Sequence, residues 1–184
     1  YTKSSYQGDA DGTESKPYPD FYQALKAVQP GGTIAIIGSG YINDTAGVGS
    51  NNEPCVINKA ITITAADGNT ASLNVRAGGI VLGADVTFEN IAMNVTNGVR
   101  PAIFANGYKL TASNISKVNG TQDVSIFAGA PHPENSTVTI PTSGNTAEIV
   151  LTNSAFSNIY AGGMGGGFSG NVNIALNGRC TVNG

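Results

Sequence analysis

The sequence predicts an all-β fold, built as a solenoid of short stacked strands with a helix across its first end. Composition, one amphipathic segment near the start and a recurring strand pattern predict it. Hydrophobic residues make up 40% of the chain and charged residues only 11%, so uncharged side chains must supply most of the polar surface. The 25 Gly residues, with abundant Asn, Ser and Thr, are typical of turns and strands rather than of amphipathic helices.

The first predicted element is a helix over residues 20–28. Its apolar residues Phe21, Leu25 and Val28 fall on one face at helical spacing. Asp20 is the expected N-cap, and the Pro-Gly-Gly sequence that follows ends the helix. A helix of this length, roughly 13 Å, is long enough to lie across the open end of a small β-coil. We therefore expect it to act as a cap, followed at once by a strand over residues 33–37.

Strands of alternating apolar residues then recur from residue 61 onward. Neighbouring starts lie roughly 23 to 25 residues apart, except for one interval of about 39. Such a period indicates a stacked solenoid, in which each coil buries its apolar face against its neighbours. The long interval predicts an insertion of about 15 residues that protrudes from the coil, within residues 131–146. The superimposable segments begin at Ile61, Val86, Leu110, Ile149 and Val172.

Three asparagines stand at the same point of successive repeats, just after the apolar positions. Stacked strands lie about 4.8 Å apart, so equivalent side-chain amides can hydrogen-bond along the axis. We interpret Asn90, Asn114 and Asn153 as a structural ladder at a turn. A row of ligand-binding amides is the alternative.

Charge and hydropathy exclude several partners. The net charge of -3 and the nine Lys and Arg residues, spread singly along the chain, leave no basic face for a phosphate backbone. No apolar run approaches the ~20 residues that span a bilayer. Neither nucleic acid binding nor membrane insertion is therefore expected.

The chain shows no arrangement typical of a metal or catalytic centre. It has one His and no Cys/His cluster, and its carboxylates are scattered, so no metal, cofactor or catalytic residue is predicted. The Asp9–Thr13 segment begins like a calcium loop, but Glu14 stands where such a loop needs Gly. We interpret it as a turn in which Gly12 adopts an unusual backbone angle. His132 and Glu134, in a Pro-flanked loop, are candidate ligand-binding residues, with exposed loop residues as the alternative.

The two cysteines, Cys55 and Cys180, stand at opposite ends of the repeats. Four rungs of about 4.8 Å place them roughly 19 Å apart, beyond the ~7 Å limit on the Cα separation of a disulfide. Two free thiols are predicted.

Five short N-terminal segments share a combination of residues with a known family: Ala10–Thr13, Pro17-Tyr18, Phe21–Val28, Pro30–Ile34 and Gly40-Tyr41. With them, the N-terminal part of the chain resembles the start of the pectin-lyase-like β-helix proteins. The resemblance implies a right-handed, single-stranded parallel β-helix with a capping helix, export from the cell, and contact with polysaccharide or a host surface. Some members are lyases or hydrolases, and others are non-catalytic, pectate-lyase-like adhesive domains of bacterial surface proteins. Fold alone does not choose between them.

These observations predict one β-helix domain over residues 1–184, with the cap and first strand in 1–40 and stacked coils in 41–184. Because residues 171–184 still follow the repeat, a truncated C-terminus and further domains of a longer chain are expected. The favoured function is a non-catalytic extracellular adhesin-type binding or scaffold domain of a bacterial surface protein. It would contact polysaccharide, a host-surface glycan or a host protein. The alternatives are a polysaccharide lyase or other carbohydrate-active enzyme, and a structural stalk.

Overall fold

The computed structural model describes residues 1–42, 53–67, 70–75, 78–95, 102–117, 124–131, 139–165 and 168–182. Within them, strands of two to seven residues alternate with turns, and one helix lies near the start. No helix among the described residues is long and apolar enough to cross a membrane.

The helix, α1 (Phe21–Ala27), begins as the sequence predicts. The Asp20 side chain accepts a hydrogen bond from the Gln23 backbone N–H at 2.8 Å, which confirms the N-cap. Its apolar face, including Phe21 and Leu25, is buried in the same cluster as the residues of the first strand. The helix therefore covers the edge of the core at this end.

The end of α1 is held by a lysine from the next coil. The Lys59 ammonium donates hydrogen bonds to the carbonyl oxygens of Leu25, Lys26 and Val28, each at 2.9 Å. The last carbonyls of a helix have no partner within the helix and carry its negative dipole end, so a cation is stabilising there. Spacing along the sequence gave no sign of this contact.

The described strands all pair in parallel, and, with one break in the second sheet, each strand of a three-strand set pairs with the corresponding strand of the next set. Six strands form a first sheet in the order β1-β4-β7-β10-β13-β16, four form a second (β2-β5-β8-β11), and five form a third (β3-β6-β9-β12-β15). A short fourth sheet pairs β14 with β17. In chain order the strands are β1 (Thr33–Ile36), β2 (Ser39–Tyr41), β3 (Cys55–Ile57), β4 (Ile61–Ala65), β5 (Ser72–Val75), β6 (Ile80–Leu82), β7 (Val86–Glu89), β8 (Ala92–Val95), β9 (Ala102–Phe104), β10 (Lys109–Ser113), β11 (Ser116–Lys117), β12 (Ser125–Phe127), β13 (Thr146–Thr152), β14 (Ala155–Phe156), β15 (Ile159–Tyr160), β16 (Asn171–Asn177) and β17 (Thr181–Val182).

This topology is a mostly β fold of parallel strands in stacked sheets, and it is compatible with a β-helix or solenoid. The chain visits the three sheets in turn and then begins the next layer, so each layer covers the one before. Alternation along each strand turns one set of side chains inward. One such inward row runs through the first sheet as Ile34, Ile63, Phe88, Ala112 and Leu151, all at most 1% exposed.

The register of the last repeat differs from the predicted alignment. The sequence pattern placed Val172 opposite Ile149, whereas the structure pairs Ile149 with Ile174. A shift of two residues keeps the same side chains inward, so apolar alternation alone cannot detect it. The corner that follows the two strands fixes the register instead. There Gly178, at φ 64°, lies beside Asn153, at φ 49°, so the two residues with positive φ are aligned.

The predicted insertion protrudes less than expected over its described part. Residues 139–145, which we call the strap, lie back against the body. The Asn106 side-chain amide donates to the Pro141 carbonyl at 3.1 Å, and the Tyr108 hydroxyl donates to the Thr142 carbonyl at 2.9 Å. Ile140 packs on the outer cluster of the third sheet. The prediction that the whole insertion protrudes is therefore wrong for the strap, which is hydrogen-bonded to the buried Asn106 and the partly buried Tyr108 of the coil.

Both cysteines are free, as predicted. Cys55 is fully buried, and this burial raises the pKa of its thiol to about 12, although a hydrogen bond with the Tyr22 side chain acts in the opposite direction. Cys180 is partly exposed at the other end, with its sulfur 3.2 Å from the Asn177 carbonyl oxygen. The two thiols thus occupy very different surroundings.

Candidate ligand-binding surface

Three aromatic rings form a column on the outer face of the third sheet. Phe104, Phe127 and Tyr160 are register partners in adjacent strands. The centroids of the first two rings are 5.2 Å apart with the planes 24° from parallel, and those of the second and third are 4.5 Å apart at 19°. These are stacked geometries, worth about 0.5–1.5 kcal/mol per pair beyond the area that is buried. The column is therefore a rigid feature of the sheet.

The column is covered at one end and open at the other. Phe104 is only 2% exposed, because Val81 and Ile140 of the strap pack around it. Tyr160 is 44% exposed. Tyr160 is therefore the ring of the column that a ligand can reach.

A row of polar groups lies beside the open end. Ser125 precedes Phe127 by two residues, and Asn158 precedes Tyr160 by two. By strand alternation each polar residue lies on the same outer face as its aromatic neighbour, about 6.6 Å away along the chain. The Asn158 amide donates to the Ser157 hydroxyl at 3.1 Å and is partly exposed. Apolar contact area with a few polar groups at its edge is the usual composition of a ligand site. Stacking and hydrogen bonding are thus both available here.

A second polar surface lies on the outer face of the first sheet, as a cleft of about 280 Å³. There the Lys109 ammonium donates to Glu148 Oε1 at 2.9 Å, with both side chains somewhat more than 40% exposed. The Lys109 backbone N–H donates to Asp85 Oδ1, also at 2.9 Å. An exposed ion pair of this kind contributes only about 0–1 kcal/mol to stability. A row of threonine hydroxyls completes the wall of the cleft, from Thr62, Thr87 and Thr111.

The N-terminal Asp-Gly-Thr turn holds its carboxylate internally. Asp11 Oδ1 accepts hydrogen bonds from the Thr13 hydroxyl at 2.7 Å and from the Thr13 N–H at 3.0 Å. The hydroxyl hydrogen bond is the main cause that lowers the pKa of this carboxyl. Gly12 has φ 86°, which confirms the predicted unusual backbone angle. Over the described residues, no three His, Cys, Asp or Glu side chains gather in a group that could hold a metal ion.

The three repeated asparagines lie at successive corners of the stack. Asn114 donates its amide to Asn90 Oδ1 at 2.9 Å, and Asn153 donates to Asn114 Oδ1 at 3.5 Å. The Arg179 backbone N–H then donates to Asn153 Oδ1 at 3.0 Å. All three asparagines have φ near +50°, a conformation that Asn tolerates better than most residues. Their amides are thus engaged along the stack.

The sequence analysis named a ligand-binding pair and did not name the aromatic column. His132 and Glu134 lie outside the described residues. The aromatic column was missed by the sequence analysis, although a signal exists. Each of its strands ends in the pattern of an inward Ile followed by an outward aromatic residue, at Ile103-Phe104, Ile126-Phe127 and Ile159-Tyr160.

Comparison with known proteins adds no relative. No family model, no curated protein and no solved structure matches the chain. The geometry of the described residues is therefore the basis for a functional proposal.

Proposed function

We propose that the chain is a right-handed, single-stranded parallel β-helix, and that it serves as a non-catalytic, adhesin-type binding and scaffold domain on a bacterial surface. Its outer third-sheet face would contact a polysaccharide or a host glycan. The observation that carries the proposal is the aromatic column that ends in the half-exposed Tyr160 ring. Handedness follows the strong right-handed preference of parallel crossover connections. The N-terminal resemblance supports the family and the extracellular location.

The column favours a binding domain over a plain stalk. A stalk needs regular stacking but no exposed aromatic ring, whereas sugars present apolar C–H faces that pack on such rings. Tyr160 is also held in place by its stack on Phe127, at 4.5 Å between centroids. A side chain that is already ordered loses little conformational entropy when a ligand binds.

The test is a glycan array probed with the wild-type chain and two variants. Tyr160→Ala removes the open ring, and we expect it to weaken binding about tenfold, as the loss of about 1.4 kcal/mol would do. Tyr1→Ala is the matched control, because it removes a tyrosine that is 36% exposed near the opposite end of the stack. Equal losses in both variants, or binding that Tyr160→Ala leaves unchanged, would contradict the proposed site.

The alternative function, a polysaccharide lyase, has the first-sheet cleft in its favour. A lyase needs a base near the uronate, and Lys109 lies there, but its ammonium already donates to Glu148 at 2.9 Å. The ultraviolet absorbance of unsaturated uronate, followed with polygalacturonate and alginate with and without calcium, tests this function. A rise that Lys109→Ala abolishes would favour the lyase. No rise, together with glycan binding on the array, supports the binding domain.

A further inference from the structure

The strap reaches past the neighbouring corner of the stack to the corner beyond it. It lies in the chain between β12 and β13, and the neighbouring corner, between β9 and β10, holds Asn106 and Gly107. The Gly144 backbone N–H donates to the Asn106 carbonyl at 3.0 Å. The Pro141 ring lies against Gly83, in the corner between β6 and β7, where an added Cβ would be only 2.9 Å from Pro141 Cγ. The strap therefore contacts a corner two steps away from its own.

The side chain of Asn106 joins these three corners. Its amide donates to the Leu82 carbonyl at the end of β6 and to the Pro141 carbonyl of the strap, at 3.0 and 3.1 Å. On the outer side of the third sheet, Ile140 packs on an apolar cluster whose residues come from β6 and β9. Polar and apolar contacts thus both hold the strap on the layers of β6 and β9.

A contact of this kind changes how a stack of layers unfolds. Strand pairing joins each described layer to the layers next to it. When layers interact with their neighbours alone, the stability of a solenoid is a sum of local terms, and one part opens while the rest stays folded. The strap leads directly into β13, so its contacts with β6 and β9 tie the layer of β13 to layers that strand pairing does not join to it.

We propose that the strap is a clasp, which makes the layers from β6 to β13 open and close as one unit. The glycines beneath it fit this role, because a side chain at either position would displace the strap. A Cβ at Gly107 would meet the Gly144 carbonyl, and a Cβ at Gly83 would meet the Pro141 ring. The clasp acts on the fold itself, so it does not depend on which ligand the domain binds.

Native-state hydrogen exchange at increasing urea concentrations tests the coupling. Gly107→Ala displaces the strap, and Gly38→Ala is its matched control, because Gly38 has a φ of 74° against 76° but open space around an added Cβ. Both variants carry similar backbone strain. We expect the amides of β6, β9 and β13 to exchange through a common opening in the wild type and in Gly38→Ala. In Gly107→Ala, the β13 amides should exchange at least ~10-fold faster than those of β6, as the loss of one or two hydrogen bonds would produce.

A second pair of variants tests the clasp from its other contact and decides the matter if Gly107→Ala does not fold. Gly83→Ala pushes against the Pro141 ring without a positive φ, and Gly162→Ala is the control, because it also lacks a positive φ and has open space around the added Cβ. We expect β6 and β13 to exchange separately in Gly83→Ala and together in Gly162→Ala. Separate openings in the wild type, or a common opening in the folded strap variants, would overturn the proposal.

Discussion

The side chain of Asn106 connects two parts of this fold by hydrogen bonds. It is completely buried, and its amide donates to the Leu82 carbonyl at 3.0 Å and to the Pro141 carbonyl at 3.1 Å. Its φ of 50° and the φ of 76° at Gly107 form the tight corner on which the strap rests. A Cβ added at Gly107 would meet the Gly144 carbonyl. One residue thus joins a coil to the inserted segment.

We predict that Asn106→Ala lowers the free energy of unfolding by about 2–3 kcal/mol, because one buried and one partly buried carbonyl lose their donor and Ala is strained at positive φ. Asn106→Gly separates the two causes. Glycine accepts the backbone angle, so this variant should lose the hydrogen bonds alone and fall between the wild type and Asn106→Ala. Urea unfolding measures all three proteins. An unfolding free energy for Asn106→Ala equal to that of the wild type would contradict this role.

The two thiols should react very differently. At neutral pH we expect iodoacetamide to modify Cys180 and to leave Cys55 unmodified, because Cys55 is fully buried and its pKa is raised to about 12. The thiolate is the reactive form. Mass spectrometry of the intact protein should show one adduct in the native state and two after unfolding in urea. Native labelling of a Cys180→Ser variant would contradict the buried position of Cys55.

At the scale of the element, α1 depends on a residue from outside the helix. Lys59→Met keeps much of the aliphatic length but removes the ammonium that donates to three carbonyls at the helix end. We predict a loss of about 1–3 kcal/mol in unfolding free energy, the range for hydrogen bonds to charged groups. Lys26→Met is the matched control, because Lys26 is an exposed lysine in the last turn of the same helix. Equal losses in the two variants would show that Lys59 has no special role.

Sequence patterns predicted an element correctly where residues close together in the sequence determine it. The Asp20 cap and the apolar face of α1 are local features, and the structure confirms both. The apolar strands that start the repeats also pair with each other in the first sheet. The second and third strands of each layer were missed, because strands such as β3 and β9 span only three residues between turns. Alternation alone also left the register of Val172 undetermined, which the corner at Gly178 settles.

At the scale of the whole molecule, stacking creates surfaces that no single repeat contains. The aromatic column takes one ring from each of three layers, and the strap covers it only at the Phe104 end. The repeated asparagines mark the first sheet in the sequence, whereas no comparable repeat marks the third, so its outward rings were overlooked. The single-domain division, the extracellular location and the ligand roles of His132 and Glu134 stay predictions.

Mapping the residues that a bound glycan contacts tests the proposed binding surface. We would take the strongest ligand from the array and follow the aromatic ring resonances of the folded chain by NMR during titration. We expect saturable shifts of the Tyr160 and Phe127 ring resonances, while those of Tyr1 stay unchanged. Shifts confined to the first-sheet cleft around Lys109, with Tyr160 unaffected, would contradict the proposed binding surface.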